Sequence, residues 1–196
     1  IKDGHHVVGC DSLIGGELSN VPAEAEFYQY DCCYRNSMLK ITKGCDLVYH
    51  TAATAYEGLS VFSPHLITNN IVTGSVSLFS AAIENNVKRI VFCSSMARYG
   101  TNKVPFREDF TPKPQDPYGI AKVAAEDILK NLCEVHNVEY VIAVPHNIIG
   151  PRQKYDDPYR NVASIMINLM LQNRQPIIYG DGKQKRCFSY VDDDLF

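Results

Sequence analysis

No stretch of this 196-residue chain approaches the roughly eighteen consecutive apolar residues of a membrane-crossing helix, and no basic-then-apolar leader opens it at Ile1. No membrane association is therefore expected. Basic residues are not in excess: 19 Lys and Arg against 22 Asp and Glu leave a formal charge of −3, without the basic face on which nucleic-acid affinity rests. No CxxC occurs among the seven cysteines, so neither a zinc ribbon nor a redox dithiol fits, and no metal site is expected. An odd number cannot all pair within one chain. Cys32 and Cys33 are adjacent, while Cys10 and Cys93 end apolar runs, where a free thiol behaves as a small hydrophobe. Reduced, structural thiols and a cytoplasmic location are the expectation. No internal repeat or low-complexity segment is present. What the chain does have is a core-forming composition, 45% hydrophobic and 21% charged, in a length suited to one core and the start of a second.

Four continuous apolar runs, His6–Cys10, Asp46–His50, Arg89–Cys93 and Glu139–Val144, read as strands buried on both faces of a parallel sheet. Helical spacing recurs between them. From Leu66 to Ile83 the stripe is Ile71, Leu78, Ala82 and Ile83; from Pro117 to Leu132 it is Ile120, Val123, Ala124, Ile128 and Leu132. Asp116 can cap the second helix, with Pro117 at its first position. Alternating strands and helices predict a doubly wound α/β sheet over residues 1–145. After Pro145 the texture changes to a loop rich in Pro, Arg and Tyr, then an apolar helix near Val162–Leu171, so residues 146–196 read as the beginning of a second region.

The pattern with most chemical content joins Ser94-Ser95, after a strand, to Tyr118 and Lys122 at a helix start. Residues four apart project from one helix face. A phenol has a pKa of about 10 and is a poor base at neutral pH, but a neighbouring ammonium favours its phenolate. Ser95 could share a proton moving between Tyr118 and an alcohol. Taken alone, YxxxK also fits an amphipathic helix with a half-buried Tyr and a solvated Lys. Asp11, closing a strand, reads alone as a turn residue.

With its surroundings the chain resembles the extended short-chain dehydrogenase/reductase family of NAD-dependent sugar-nucleotide epimerases and dehydratases. The resemblance is carried in order by His50-Thr51-Ala52-Ala53, Ser94-Ser95-Met96-Ala97-Arg98-Tyr99-Gly100, Pro117-Tyr118-Gly119-Ile120-Ala121-Lys122, Asn147-Ile148-Ile149-Gly150-Pro151-Arg152 and Gly180-Asp181-Gly182-Lys183-Gln184-Lys185-Arg186. It implies a Rossmann-like fold with NAD as cofactor, Ser95 and Tyr118 as catalytic hydroxyls, and Lys122 tuning Tyr118 and holding the nicotinamide ribose. It places Asp11 on the adenosine ribose hydroxyls, where an acid would disfavour a 2′-phosphate. It further places Asp31 and Cys32 at the adenine, Ala52 and Ala53 beneath the pyrophosphate, and Asn70 near the cofactor. Arg186 would pair with a nucleotide diphosphate, for which a guanidinium fork is suited. Asn147 and Asn161 would contact the sugar nucleotide, with Arg152 at the same cleft. A UDP-sugar substrate and a homodimer formed through the helices near Leu66–Ile83 and Pro117–Leu132 are also implied.

Departures from the family pattern matter. Dehydratases and decarboxylases of the family place an acid beside the catalytic Ser or Thr; here Met96 stands there and cannot exchange a proton. This favours C4 epimerisation, with UDP-glucose/UDP-galactose first. Uronic-acid or N-acetyl-sugar epimerases, a reductase, and a non-catalytic nucleotide-binding scaffold stand as alternatives. Cys187 replaces a usual Asp. The phosphate-binding GxxGxxG, due roughly 20 residues before Asp11, is not in the chain, so the first βα unit is expected to be missing and the substrate region incomplete.

Overall fold

The computed structural model describes residues 1–159, 161–178 and 180–194. Every strand pair in it is parallel. Strand β1 (Val8–Cys10) pairs with β2 (Glu26–Tyr28), with Val8 opposite Glu26. Strands β3 (Leu47–His50), β4 (Arg89–Cys93) and β5 (Glu139–Ala143) form a second sheet in that order. The connections carry α1 (Arg35–Ile41), α2 (Glu57–Ser60), α3 (Pro64–Thr68), α4 (Gly74–Glu84) and α5 (Pro117–His136). This is the expected Rossmann-like α/β alternation. The chain divides into two compact units, Ile1–Val144 and Pro145–Phe196.

The core of the first unit gathers Met38 of α1, Val48, Ile90 and Phe92 of the sheet, Leu78 and Phe79 of α4, and Leu129 of α5. Phe79 meets Phe92 edge-on at 5.6 Å, and the His50 ring stacks on Phe92 at 5.5 Å. Helix α5 starts as expected: the Asp116 carboxylate accepts the Gly119 N–H at 2.8 Å and Pro117 opens the first turn. It ends at Asn137, whose left-handed backbone (φ 55°) returns its N–H to the Cys133 carbonyl.

Several expectations need correction. Strand β2 and the short helices α1 and α2 were not anticipated; β2 is three residues long and α1 buries only Met38, too little for a periodic signal. The helix expected from Leu66 begins at Pro64 and includes a π turn over Asn69–Thr73 between α3 and α4. This Pro64–Glu84 segment of 21 residues holds an 18-residue stretch of mean hydropathy 1.4, long and apolar enough by length and composition to cross a membrane. Its Ser, Thr and Asn residues interrupt any unbroken apolar run, which is why a search for such a run passes over it; half of it is buried inside the protein. The stripe read on α5 is not its buried face. Tyr118, Ala121, Lys122, Ala125, Glu126, Leu129 and Cys133 face inward, whereas Ile120 is 56% exposed. Burial on both sheet faces also fails for β3: Val48 and His50 are buried, but Leu47 and Tyr49 are exposed.

In the second unit, β6 (Ile148–Ile149) pairs with β7 (Ser189–Tyr190), and α6 (Val162–Leu171) follows a long loop. Gly150 packs on Val191, which leaves no room for a side chain there. Leu195 and Phe196, at the end of the expected second region, lie outside the described residues.

His50 is 2% exposed and sits 2.9 Å from the Ser75 hydroxyl through Nε2. Burial, with the Lys122 charge adding to it, pushes its pKa down to about 3. The unfolded chain takes up a proton at the ordinary pKa of about 6.5 while the folded chain does not, so this contribution is complete above that pH and is lost as pH falls toward 3. The free energy of unfolding, measured in urea across this window, should fall with acidification by up to about 1.4 kcal/mol per pH unit for this one proton. His50→Gln should flatten that part of the profile; an unchanged slope in the variant would contradict the assignment.

Candidate active site

The carboxyl ends of β1, β3 and β4 carry the residues singled out in the sequence. Ser95 follows β4 and caps a 3₁₀ turn over Met96–Tyr99, its Oγ accepting the Ala97 N–H at 3.2 Å. Tyr118 lies in the first turn of α5, close enough to Ser95 for the serine side chain to favour its phenolate. Its ring packs with Ile67, Ile71, Ala97 and Ala121, with Ala53 beside them. Two glycines permit this approach. A Cβ at Gly119 would stand 3.0 Å from the Ala97 carbonyl oxygen, and at Gly100 (φ 43°) it would collide with the Lys113 carbonyl.

Lys122, one turn beyond Tyr118, is 2% exposed and donates to the Cys93 carbonyl at 2.7 Å, its ammonium 4.9 Å from the centre of the Phe92 ring. Burial lowers its pKa to about 8, opposed by Cys93 and Glu126. The expected acidification of Tyr118 by Lys122 is not what the geometry gives. Burial pushes the phenol up, the negative charges of Glu57 and Asp116 add to that, and Ser95 alone pulls it down. The ammonium is engaged at the end of β4 instead of at the phenol oxygen.

The expected cofactor residues fall into two groups. Asp11 is exposed after β1 and its carboxylate accepts the Leu13 N–H at 2.7 Å. Asp31, after β2, accepts the Cys33 N–H at 2.8 Å. The thiols of Cys10 and Cys32 hydrogen-bond to each other, which joins the neighbourhoods of these two acids and, with burial, pushes the Cys32 thiol up. The second group is Ala52, Ala53 and Asn70. Ala52 and Ala53 follow β3, and Asn70 donates to the Thr54 hydroxyl at 2.8 Å, tying the π turn to that strand end. The donor set fits a dinucleotide: two half-free carboxylates suit ribose hydroxyls, and a buried ammonium carries three donors, enough for a ribose diol beside the Cys93 carbonyl.

The candidate substrate residues all lie in the second unit. The Asn147 amide donates to the Cys187 carbonyl at 2.9 Å. Asn161 caps α6, accepting the Ala163 N–H at 2.9 Å. Arg152 lines a cavity of about 540 Å³ with Tyr155, Ile167, Asn168 and Tyr190. Arg186 is exposed and donates to the Lys185 carbonyl at 3.0 Å. That cavity is lined by neither Asn147, Asn161 nor Arg186.

Sequence reasoning missed Glu126, Arg98 and Ser94 as a buried polar group beneath Ser95. The signal was present: Glu126 continues the four-residue spacing of Tyr118 and Lys122 along α5.

Comparison with known proteins adds identity to this geometry. The family model of the NAD dependent epimerase/dehydratase family matches residues 1–194. A UDP-glucose 4-epimerase of Mycolicibacterium smegmatis is 32% identical over 204 residues, covering 98% of this chain and 64% of that protein. The crystal structure of a UDP-glucose 4-epimerase from Thermotoga maritima with UDP-glucose superposes with a TM-score of 0.94 at 32% identity, over 98% of this chain and 64% of that one. A UDP-N-acetylglucosamine 4-epimerase from Methanobrevibacter ruminantium, in complex with UDP-N-acetylmuramic acid, gives 0.90 at 34% identity, over 96% and 62%. The chain thus spans less than two thirds of the length of these relatives. With a match along nearly its whole length, the chain belongs to the NAD dependent epimerase/dehydratase family.

Proposed function

We propose that the protein to which this chain belongs interconverts the C4 epimers of a UDP-sugar with NAD as a tightly used, regenerated cofactor, UDP-glucose and UDP-galactose being the substrates. The observation that carries the reading is a buried Tyr118 placed beside Ser95, with the Lys122 ammonium one turn further along the same face.

Each residue has a distinct part. Tyr118 takes the proton of the sugar C4 hydroxyl and later returns it. Ser95 binds the same oxygen and shortens the path of that proton, which is general acid–base catalysis by positioned hydroxyls. Lys122 orients the nicotinamide ribose, and Asp11 and Asp31 bind the adenosine end. Bound NAD would supply the hydride acceptor and donor at C4 and, through its cationic ring, a charge favouring the phenolate. Arg152, Arg186, Asn147 and Asn161 contact the nucleotide sugar. Met96, next to Ser95, supports epimerisation over dehydration because it offers no second proton-transfer group.

The alternatives left open by the sequence set the test of the sugar. The full-length protein, incubated with UDP-glucose, UDP-N-acetylglucosamine or UDP-glucuronic acid, should convert UDP-glucose fastest and form no net NADH. Faster turnover of either other sugar would move the substrate assignment, and stoichiometric consumption of reduced cofactor would make the enzyme a reductase. Tyr118→Phe should lower turnover by at least about 10²-fold, and Ser95→Ala should slow it while sparing NAD binding. Near-normal turnover of the Tyr118 variant would remove the assigned base.

We also propose a homodimer through the outer faces of α3 and α5. Leu66 and Ile120, 46% and 56% exposed, present apolar surface there although both helices already bury another face. Sedimentation should give a dimer for the full-length protein and a monomer for Leu66→Glu with Ile120→Glu; a monomeric wild type would refute it.

A further inference from the structure

We propose that Glu126 is a positioning residue: it clamps both ends of the segment carrying Ser95 and sets a carboxylate one helical turn from Lys122. The inference rests on the epimerase reading of that face and assigns its supporting charge.

Glu126 is fully buried, one helical turn beyond Lys122 and two beyond Tyr118. One carboxylate oxygen accepts the Ser94 hydroxyl. The other stands 3.1 Å from the Arg98 guanidinium, whose side chain is only 12% exposed, and 3.9 Å from the Lys130 ammonium. Ser94 and Arg98 bracket Ser95. Both are also held from outside: Ser94 donates its N–H to the Ala143 carbonyl at 2.8 Å, and the Arg98 carbonyl accepts the Lys113 N–H at 2.8 Å. A carboxylate on α5 thus ties the serine segment to the helix that carries Tyr118, at the two points from which Ser95 could drift.

A buried ion pair is weak as a stabilising device, since desolvation offsets most of the attraction and an apolar replacement is often as stable. A packing role alone does not call for a carboxylate here. Charge does something that packing cannot. The groups facing Lys122 are Glu126 on α5, Cys93 and the Phe92 ring on β4, and on β3 His50, whose imidazole is neutral near pH 7. Those facing Glu126 are Ser94, Arg98, Lys130 and Lys122. Of all these only Glu126 carries a carboxyl group. It raises the proton affinity of a lysine that burial brings down to about 8. Without it, the buried ammonium loses the carboxylate that favours its charged form, and Lys122 would lose its proton earlier on the pH scale.

Glu126→Gln in the full-length protein keeps the shape and the acceptor for Ser94 while removing the charge. The alkaline limb of kcat/KM should move down by about one pH unit, and the Lys122 titration, followed by NMR of labelled lysine, should move with it. Arg98→Met should move both in the opposite direction, because Glu126 then acts on Lys122 unopposed; this variant also decides the matter if Glu126→Gln does not fold. Opposite shifts in the two variants support the proposal. Unmoved Lys122 titration in a folded variant, with only a lower melting temperature, would overturn it and leave Glu126 a structural residue. If the wild type epimerises no UDP-sugar, the functional reading fails in the assay, while the NMR titration still decides the role of Glu126.

Discussion

The contact on which the site depends is that between the first turn of α5 and the turn following β4. It exists because neither partner has a side chain in the way: Gly119 faces the Ala97 carbonyl and Gly100 the Lys113 carbonyl. Asp116 then fixes where α5 begins by accepting the Gly119 N–H. Given those two glycines and that cap, the first turn of α5 brings Tyr118 beside Ser95. Were the helix to start one residue later, every side chain on it would turn by about 100° and Tyr118 would leave the serine. The register of a single helix therefore sets where Tyr118 stands against Ser95.

Polar burial under this contact is expensive, and the fold distributes the cost. His50 is kept neutral and hydrogen-bonded to Ser75, so it adds no charge to the sheet. Lys122 is satisfied by a carbonyl and an aromatic face, Phe92 serving both the ammonium and the hydrophobic cluster. Glu126 finds two cations and a hydroxyl. Around them the apolar cluster from Met38 to Cys133 supplies the favourable burial that these groups offset. A site that holds charged groups in fixed positions before any ligand arrives has less reorganisation left for the reaction itself.

How much of this was legible follows the kind of signal each part leaves. Strand β4 and the start of α5 were readable to the residue, because a continuous apolar run and an Asp-Pro cap are local chemistry. That Tyr118 and Lys122 share one face of α5 was readable from helical geometry alone. The buried face of α5 was not, since apolar residues lie on both sides of that helix and hydrophobicity does not say which side meets the core. Strand β2 and α1 left too few residues to show a period, and the π turn depends on an Asn70–Thr54 hydrogen bond between distant segments. The raised pKa of Tyr118 likewise reflects Glu57 and Asp116, whose approach is tertiary. Glu126 was the instructive omission. A charge on a helix is ordinarily read as solvated, yet here the spacing that marked Tyr118 and Lys122 extended one turn further.

The two halves of the proposed site are built on different physical terms. Tyr118, Lys122 and Ser95 are buried or half-buried and already joined to fixed partners, so their arrangement precedes any ligand. Asn147 and Asn161 also have defined bonds, but these serve the backbone at Cys187 and the start of α6. Arg186 stands in water. An exposed guanidinium gains little from a diphosphate until that ligand excludes solvent around the pair, since screening removes most of the attraction between exposed charges. On the proposed reading, the geometry for proton transfer is therefore set within Ile1–Val144, while what Arg186 contributes waits on a ligand that excludes water around it.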